Sequence, residues 1–269
     1  MSPPGRRVSS PWATWRALRS RLNPMTVSVA VSGATGRLGA FVCRVIEDHP
    51  DFELVARLTS ASAPDDGAAA EVLFDVTHPE VSPGIAARAL RRGQRVIIGT
   101  SGWSAERLDG LRAVVEEQPS AAALVVPNFS LGSVLGTMLS TIAARHFDSI
   151  EIIEAHHAGK IDSPSGTAVR TAELIAAARE GRETEARHAE QPARGQLVAG
   201  VPVHSLRMQG VIARQEVRFG GEGEELAITH VTHSNDSYRA GIRAALEAIT
   251  SVDGLVIGLE QVLGLKDRA

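Results

Sequence analysis

Residues 27–59 read VSVAVSGATGRLGAFVCRVIEDHPDFELVARLT, and the order of their patterns decides the fold. The first seven residues are β-rich and half-alternating. Gly33, Gly36 and Gly39 then stand as G-x-x-G-x-x-G, and the apolar spacing of AFVCRVIEDH predicts a helix halted by Pro50. FELVARLT follows at once as a second strand. Strand, glycine turn, helix and strand in this order open a dinucleotide-binding domain. There the first glycine permits the sharp turn, the middle one lets backbone approach a pyrophosphate, and the last allows close packing of helix on strand. In such domains an acid at the end of the second strand accepts from the ribose of NAD. Here that strand ends Arg57-Leu58-Thr59-Ser60. Arg57, Thr59 and Ser60 can instead donate to a 2′-phosphate, so the sequence leans towards NADPH, or towards tolerance of NADH as well.

Downstream, short apolar runs alternate with helical ones: AEVLFDVT, VSPGIAARALRRG, QRVIIGTSG, SAERLDGLRAVVEEQ and AALVVPNFS. Strands separated by helices of this length imply a parallel sheet with right-handed crossovers. After Asn128 the character shifts to a long helix, the strand SIEIIEAHH and another helix. A polar stretch over 181–196 is expected as a surface loop. Three β-like runs follow, VPVHSLRMQG, RQEVRFG and ELAITHVTH, the last two reading as a hairpin. The expected architecture is α/β: a Rossmann-type parallel-sheet domain over residues 25–127, then an α+β substrate and oligomerisation domain over 128–235. Residues 236–269 are expected as C-terminal helices returning to the first domain.

Composition narrows the function classes. A net charge of −3 with both signs scattered argues against nucleic acid as a partner. The longest apolar runs are far below the ~18 residues that span a bilayer, so a soluble protein without a membrane partner is expected. The single cysteine, Cys43, cannot form an intramolecular disulfide, which suits a reducing, cytoplasmic setting. Residues 1–24 hold no acid and several Arg, Ser and Pro. A transit peptide is one reading; a disordered extension or an upstream start is favoured, since Met25 immediately precedes the first strand.

Lysine occurs only twice, as Lys160 and Lys266, and the first lies in EAHHAGKIDSPSGTA, residues 154–168. Ser163 is expected to cap a helix that Pro164 starts, so that Ser165, Gly166 and Thr167 present unpaired backbone N–H groups to an anion. Lys160 adds a mobile positive charge, and the set suits a small carboxylate or dicarboxylate. His is the natural proton donor near neutral pH. Adjacent histidines at a strand end point to opposite faces, so one of the two is expected to reach a reacting atom. The same divergence, with no third ligand at suitable spacing, argues against a metal.

At these residues the chain resembles the 4-hydroxy-tetrahydrodipicolinate reductases, also called dihydrodipicolinate reductases. Glu154 to Ala168 match that family's E-x-H-H-x-x-K-x-D-x-P-S-G-T-A pattern, and Phe74 to Pro79 its F-D-x-T-H-P segment. Gly99-Thr100-Ser101-Gly102, Pro127-Asn128-Phe129-Ser130 and Phe219 to Glu224 resemble three further segments, in order, over nearly everything from Thr26 onward. The resemblance implies reduction of a cyclic, imine-bearing dicarboxylate by NAD(P)H, with loss of water, in the diaminopimelate and lysine pathway, by a homotetramer. It implies His156 as proton donor and acceptor, Lys160 as second proton donor, and His157, Gly166 and Thr167 as substrate contacts. Gly33, Ala34, Thr35, Gly36, Arg37, Leu38, Gly99, Thr100, Ser101, Val126, Pro127, Asn128 and Phe129 are implied to hold the cofactor.

The chain departs from that family at Ala213 and Gln215, where Gly and His are common, and at Asn235, where Arg is usual. These departures are expected to bear on tetramer packing or domain closure and to leave the chemistry untouched. Two other readings stand beside the reductase: a nucleotide-sensing regulatory protein on the same scaffold, and an oxidoreductase acting on another small carboxylate.

Overall fold

The computed structural model describes residues 26–118 and 121–265; the extension expected over residues 1–24 lies outside them. The first strand, β1 (Val27–Ser32), buries Val29, Ala30 and Val31 completely. It lies inside a parallel sheet covered on both faces, which is why its sequence is nearly continuous in apolar residues. Helix α1 (Arg37–Glu47) turns Phe41, Val42, Val45 and Ile46 onto the sheet, a stripe at helical spacing. Strand β2 (Phe52–Leu58) pairs parallel with β1 on one side, and β3 (Val72–Asp75) pairs parallel with it on the other. The return from β2 to β3 runs through residues 59–71 without a helix. Helix α2 (Ser82–Arg91), β4 (Arg95–Ile98), α3 (Ala105–Glu116) and β5 (Ala122–Val125) extend the sheet away from β1.

A second layered unit follows. Helix α4 (Leu131–Ala143) leads into β6 (Ser149–His157), α5 (Gly166–Ala178), β7 (Gln196–Val198), β8 (Val201–Met208), β9 (Ala213–Gly221) and β10 (Glu224–Thr232). The strands form a mixed sheet in the order β10-β9-β6-β8-β7, in which β6 and β8 run parallel and the other pairs antiparallel. The expected hairpin is β9–β10, turning through Glu222-Gly223. Strand β7, three residues long, emerges from the end of the stretch expected to be loop alone. Ile150, Ile152, Ile175, Val217 and Phe219 form the core between this sheet and its helices.

The tail differs from the all-helical expectation. Helix α6 (Arg239–Ile249) is followed by β11 (Gly254–Ile257), which pairs parallel with β5 and completes a six-stranded sheet in the order β11-β5-β4-β3-β1-β2. One turn of helix, α7 (Leu259–Val262), ends the described chain. Four apolar residues carry no period long enough to separate strand from helix, and β5's exposed edge decides the matter. In this sheet the chain reverses its winding between β1 and β3, and ligands of such folds bind beyond the strand C-termini at that point.

Candidate active site

The glycine turn lies at that switch point. Gly33 has φ +84°, a conformation that L side chains avoid, and a Cβ on Gly39 would fall 2.0 Å from the Gly33 carbonyl oxygen. The turn is pinned by Gly33 and Ala34 N–H donating to the Leu58 carbonyl at 3.0 and 3.1 Å and by Gly36 N–H donating to Gly33 at 3.0 Å. No side chain caps α1, so the first N–H groups of the helix, those of Arg37 and Leu38, point out of its positive end. Gly33, Thr35 and Gly36 line a 640 Å³ cleft together with Thr59, Ser60, Ser62 and Arg88. A cradle of free backbone donors at a helix N-terminus, opening on such a cleft, fits a dinucleotide.

Arg57 stands differently from expectation: its guanidinium pairs with Glu47 at the end of α1. The contact spans two elements, and the side chain is drawn to the carboxylate rather than into the cleft. Arg92 is likewise taken up, by Asp65 and the Pro64 carbonyl. Arg88 is the guanidinium of α2 that remains for a ligand there.

On the other flank of the turn, Asp75 ends β3 fully buried and accepts from Thr77 Oγ1 at 2.6 Å, Thr100 Oγ1 at 3.1 Å and Ser82 Oγ. Burial pushes its carboxyl above the usual range against these hydrogen bonds. The Thr100 side chain is thereby spent on holding the loop after β4 to the loop after β3, and Val126 is fully buried, its N–H donating to Ile98. Ser101 is exposed. Whatever Thr100 and Val126 offer a ligand is backbone. Phe129 packs 5.6 Å from Phe74, and Asn128 Nδ2 donates to Ser133 Oγ at 3.0 Å and Thr167 Oγ1 at 3.4 Å, joining the two halves of the molecule.

The 154–168 motif folds one step later than its sequence suggests. Ser165, not Ser163, caps α5: its Oγ accepts from Ala168 N–H at 3.2 Å, while Pro164 precedes the helix in a cis peptide. Ser165 is 2% exposed, and its backbone N–H is taken by Glu154 Oε1 at 3.2 Å, so what it can offer a ligand is its hydroxyl proton. Gly166 and Thr167 keep the exposed first turn. Glu154 and His156 share one face of β6, two residues apart, and His156 Nδ1 lies 2.6 Å from Glu154 Oε2. Burial lowers the His156 pKa from its ordinary value; Glu154 opposes the shift and the charges of Lys160 and Arg207 add to it. Burial also works against the charge on Glu154, but Arg207, Ser205 and His156 outweigh it and hold the carboxyl below the usual range. Lys160 Nζ donates to Asp162 Oδ1 at 2.7 Å.

One cleft of 440 Å³ collects Arg37 and Leu38 from the glycine-turn helix, Gly99, Pro127, Asn128 and Phe129 from the strand ends, and His156, His157, Lys160 and Thr167 from the motif. Two of the departures lie here too. Ala213 faces His156 across the β6–β9 pair and, with Asn235, lines the cleft; Gln215 faces Glu154 and donates to Thr171 Oγ1 at 3.0 Å. Ala213 and Asn235 thus belong to the walls of the site. Sequence reasoning passed over Glu154, Asp75 and Arg207. Period-two spacing from His156 was the available signal for Glu154, whereas Arg207 arrives from a strand 53 residues away.

Comparison with known proteins agrees with this architecture. The family model for the N-terminus of dihydrodipicolinate reductase matches residues 27–69 and 64–129, and the model for its C-terminus matches 132–263. The 4-hydroxy-tetrahydrodipicolinate reductase of Clavibacter michiganensis is 50% identical over 249 residues, covering 91% of this chain and 90% of the relative. That of Streptomyces griseus is 43% identical, covering 88% and 98%. The dipicolinate-bound dihydrodipicolinate reductase of Paenisporosarcina superposes with a TM-score of 0.76 at 30% identity, over 88% of this chain and 99% of that one. A myo-inositol dehydrogenase of Sinorhizobium meliloti, at 14% identity and a TM-score of 0.59, shares the fold alone.

Proposed function

The chain belongs to the dihydrodipicolinate reductase family, and from that premise we propose how its residues carry out the NAD(P)H-dependent reduction of 4-hydroxy-tetrahydrodipicolinate to tetrahydrodipicolinate. The observation that supports the roles best is the 440 Å³ cleft in which the glycine-turn helix faces His156, Lys160 and Thr167. A nicotinamide dinucleotide held along the turn supplies the hydride. The balance of the reaction is one hydride and one proton taken up and one water released.

The chain's own groups manage charge and protons. The first turn of α5, open at Gly166 and Thr167, presents backbone donors and the positive end of a 13-residue helix to one substrate carboxylate. Lys160 and His157 meet the same dianion from the loop and the end of β6. Hydride addition to a conjugated imine builds negative charge on the ring, which a lysine ammonium and an imidazolium stabilise and then quench by protonation. His156 holds its proton on Nε2 for that transfer, and Lys160 supplies the second. The dehydration needs a proton on the departing hydroxyl, which Lys160 can give, and releases one from the adjacent ring carbon, so that with the single protonation that follows hydride addition the net uptake is one proton.

NADPH is the proposed nucleotide, with NADH tolerated, and the recognising groups are Thr59, Ser60 and Arg88 in place of Arg57. No carboxylate lines the end of β2 in that cleft to repel a 2′-phosphate. Replacing Arg88 by alanine is expected to raise KM for NADPH about tenfold, the worth of one partly exposed charged hydrogen bond, and to leave KM for NADH within twofold. Equal effects on both nucleotides would remove Arg88 from this role. We propose a homotetramer joined through the second sheet, whose far edge and end expose Leu206, Met208, Leu226 and Val231. Among the described residues no helix is long and apolar enough to cross a membrane.

The activity itself is tested with purified protein, either nucleotide, and substrate generated in situ from pyruvate and aspartate semialdehyde. Substrate-dependent loss of nicotinamide absorbance is expected. Oxidation no faster than background with both nucleotides would sink the assignment and favour a nucleotide-sensing protein.

A further inference from the structure

We propose that Glu154 is the positioning residue of the active site, a single buried carboxylate that orients the proton donor, the lysine loop and the substrate-binding helix together. The inference rests on the roles given above to His156 and Lys160, and adds what holds them.

Glu154 is 0% exposed, and its two oxygens accept four bonds. Oε2 takes His156 Nδ1 at 2.6 Å and Arg207 Nη1 at 3.0 Å; Oε1 takes Arg207 Nη2 at 2.9 Å and Ser165 N–H at 3.2 Å. Ser205, its register partner on β8, helps Arg207 hold the carboxyl below the usual range. A buried carboxylate is tolerable only when so paired, and its partner here is the bidentate guanidinium of Arg207.

Each of the other partners leads to a different working part. An ionised carboxylate can only accept, so the proton on Nδ1 of His156 is fixed there and Nε2 is left to carry the transferable one. Through Arg207, whose Nη2 donates to the Asp162 carbonyl, the same carboxylate anchors the loop that bears Lys160 and its partner Asp162. Through the Ser165 N–H it fixes the residue that caps α5, and with it the open turn at Gly166 and Thr167. No other acidic side chain among the described residues touches all three. Glu154 makes no contact with the cleft itself, so its effect passes through these neighbours.

The test has two independent arms. In wild-type protein labelled with ¹⁵N in histidine, the imidazole spectrum of His156 is expected to show the neutral Nδ1–H tautomer. An Nε2–H tautomer would overturn the proposal whether or not the enzyme has the activity assigned to it. In Glu154→Gln, the amide can donate to Nδ1 and favour the opposite tautomer. There kcat is expected to fall about a hundredfold with KM for NADPH unchanged, since the glycine turn is remote from the substitution. The limb of the kcat/KM profile that belongs to His156 should move to lower pH. The charges acting on that imidazole are Glu154 on its own strand, Arg207 from β8 and Lys160 from the following loop, with Arg37 and His157 lining the same cleft; Ala213, opposite on β9, carries none. Removing the one carboxylate bonded to the ring leaves the cations to lower its pKa further. A variant with unchanged kcat and an unmoved limb would refute the positioning role. Should the variant not fold, the wild-type tautomer decides alone.

Discussion

Replacing Lys160 by alanine is expected to lower kcat/KM for the dicarboxylate by about three orders of magnitude, divided between KM and kcat, with KM for the nucleotide unchanged. Two losses add. In the ground state Lys160 offsets one charge of a dianion inside a cleft whose other cationic contributions are Arg37, a helix end and imidazoles. In the transition state the ring gains negative charge after hydride arrival, and an ammonium aimed at it is worth more there than in the ground state. Geometry supports this mobility. The Nζ lies 2.7 Å from Asp162 Oδ1, and Asp162 is largely exposed, so the lysine can leave the pair for a substrate at small cost. Lys160→Arg should recover little, because a planar fork on a longer arm does not reproduce a point charge that must also give up a proton. Steady-state kinetics with each substrate varied in turn checks the division. A loss of less than fivefold in kcat/KM would deny Lys160 a part in the chemistry.

The parts of this molecule that sequence made legible share one property: their physics is local. Gly33, Gly36 and Gly39 sit within one turn, and the donors at Gly166 and Thr167 follow from where α5 starts. Local reasoning failed where partners come from afar. Arg57 is at the right place for a 2′-phosphate, yet Glu47, ten residues earlier on α1, claims it. Pro164 suits a first helical turn, yet the helix waits for Ser165, whose N–H is anchored by Glu154 eleven residues before it. Strand β11 exists because β5 offers an edge, a fact written in neither segment alone. Asp75 is hidden for the same reason: its hydroxyl partners come from three different loops and helix starts, and nothing in an apolar run ending in Asp announces them.

His156→Ala is expected to act differently from Lys160→Ala, lowering kcat by 10²- to 10³-fold while KM for the dicarboxylate stays within threefold, as for loss of a general acid that binds little in the ground state. The pH profile separates the two roles further. With Nδ1–H committed to Glu154, only the imidazolium has a transferable proton on Nε2, so the active free enzyme is the protonated one. Burial and the nearby cations lower the His156 pKa from its ordinary value, against the pull of Glu154. The sign follows: kcat/KM is full below that lowered pKa and falls as pH rises through it. In the complex, a dianionic substrate adds negative charge beside the ring and favours its charged form, so the corresponding limb in kcat lies at higher pH. In His156→Ala both limbs should vanish from what activity remains. Identical pH profiles in variant and wild type would assign the proton to another group, and Lys160, which faces the same cleft, would then have to supply both protons of the reaction.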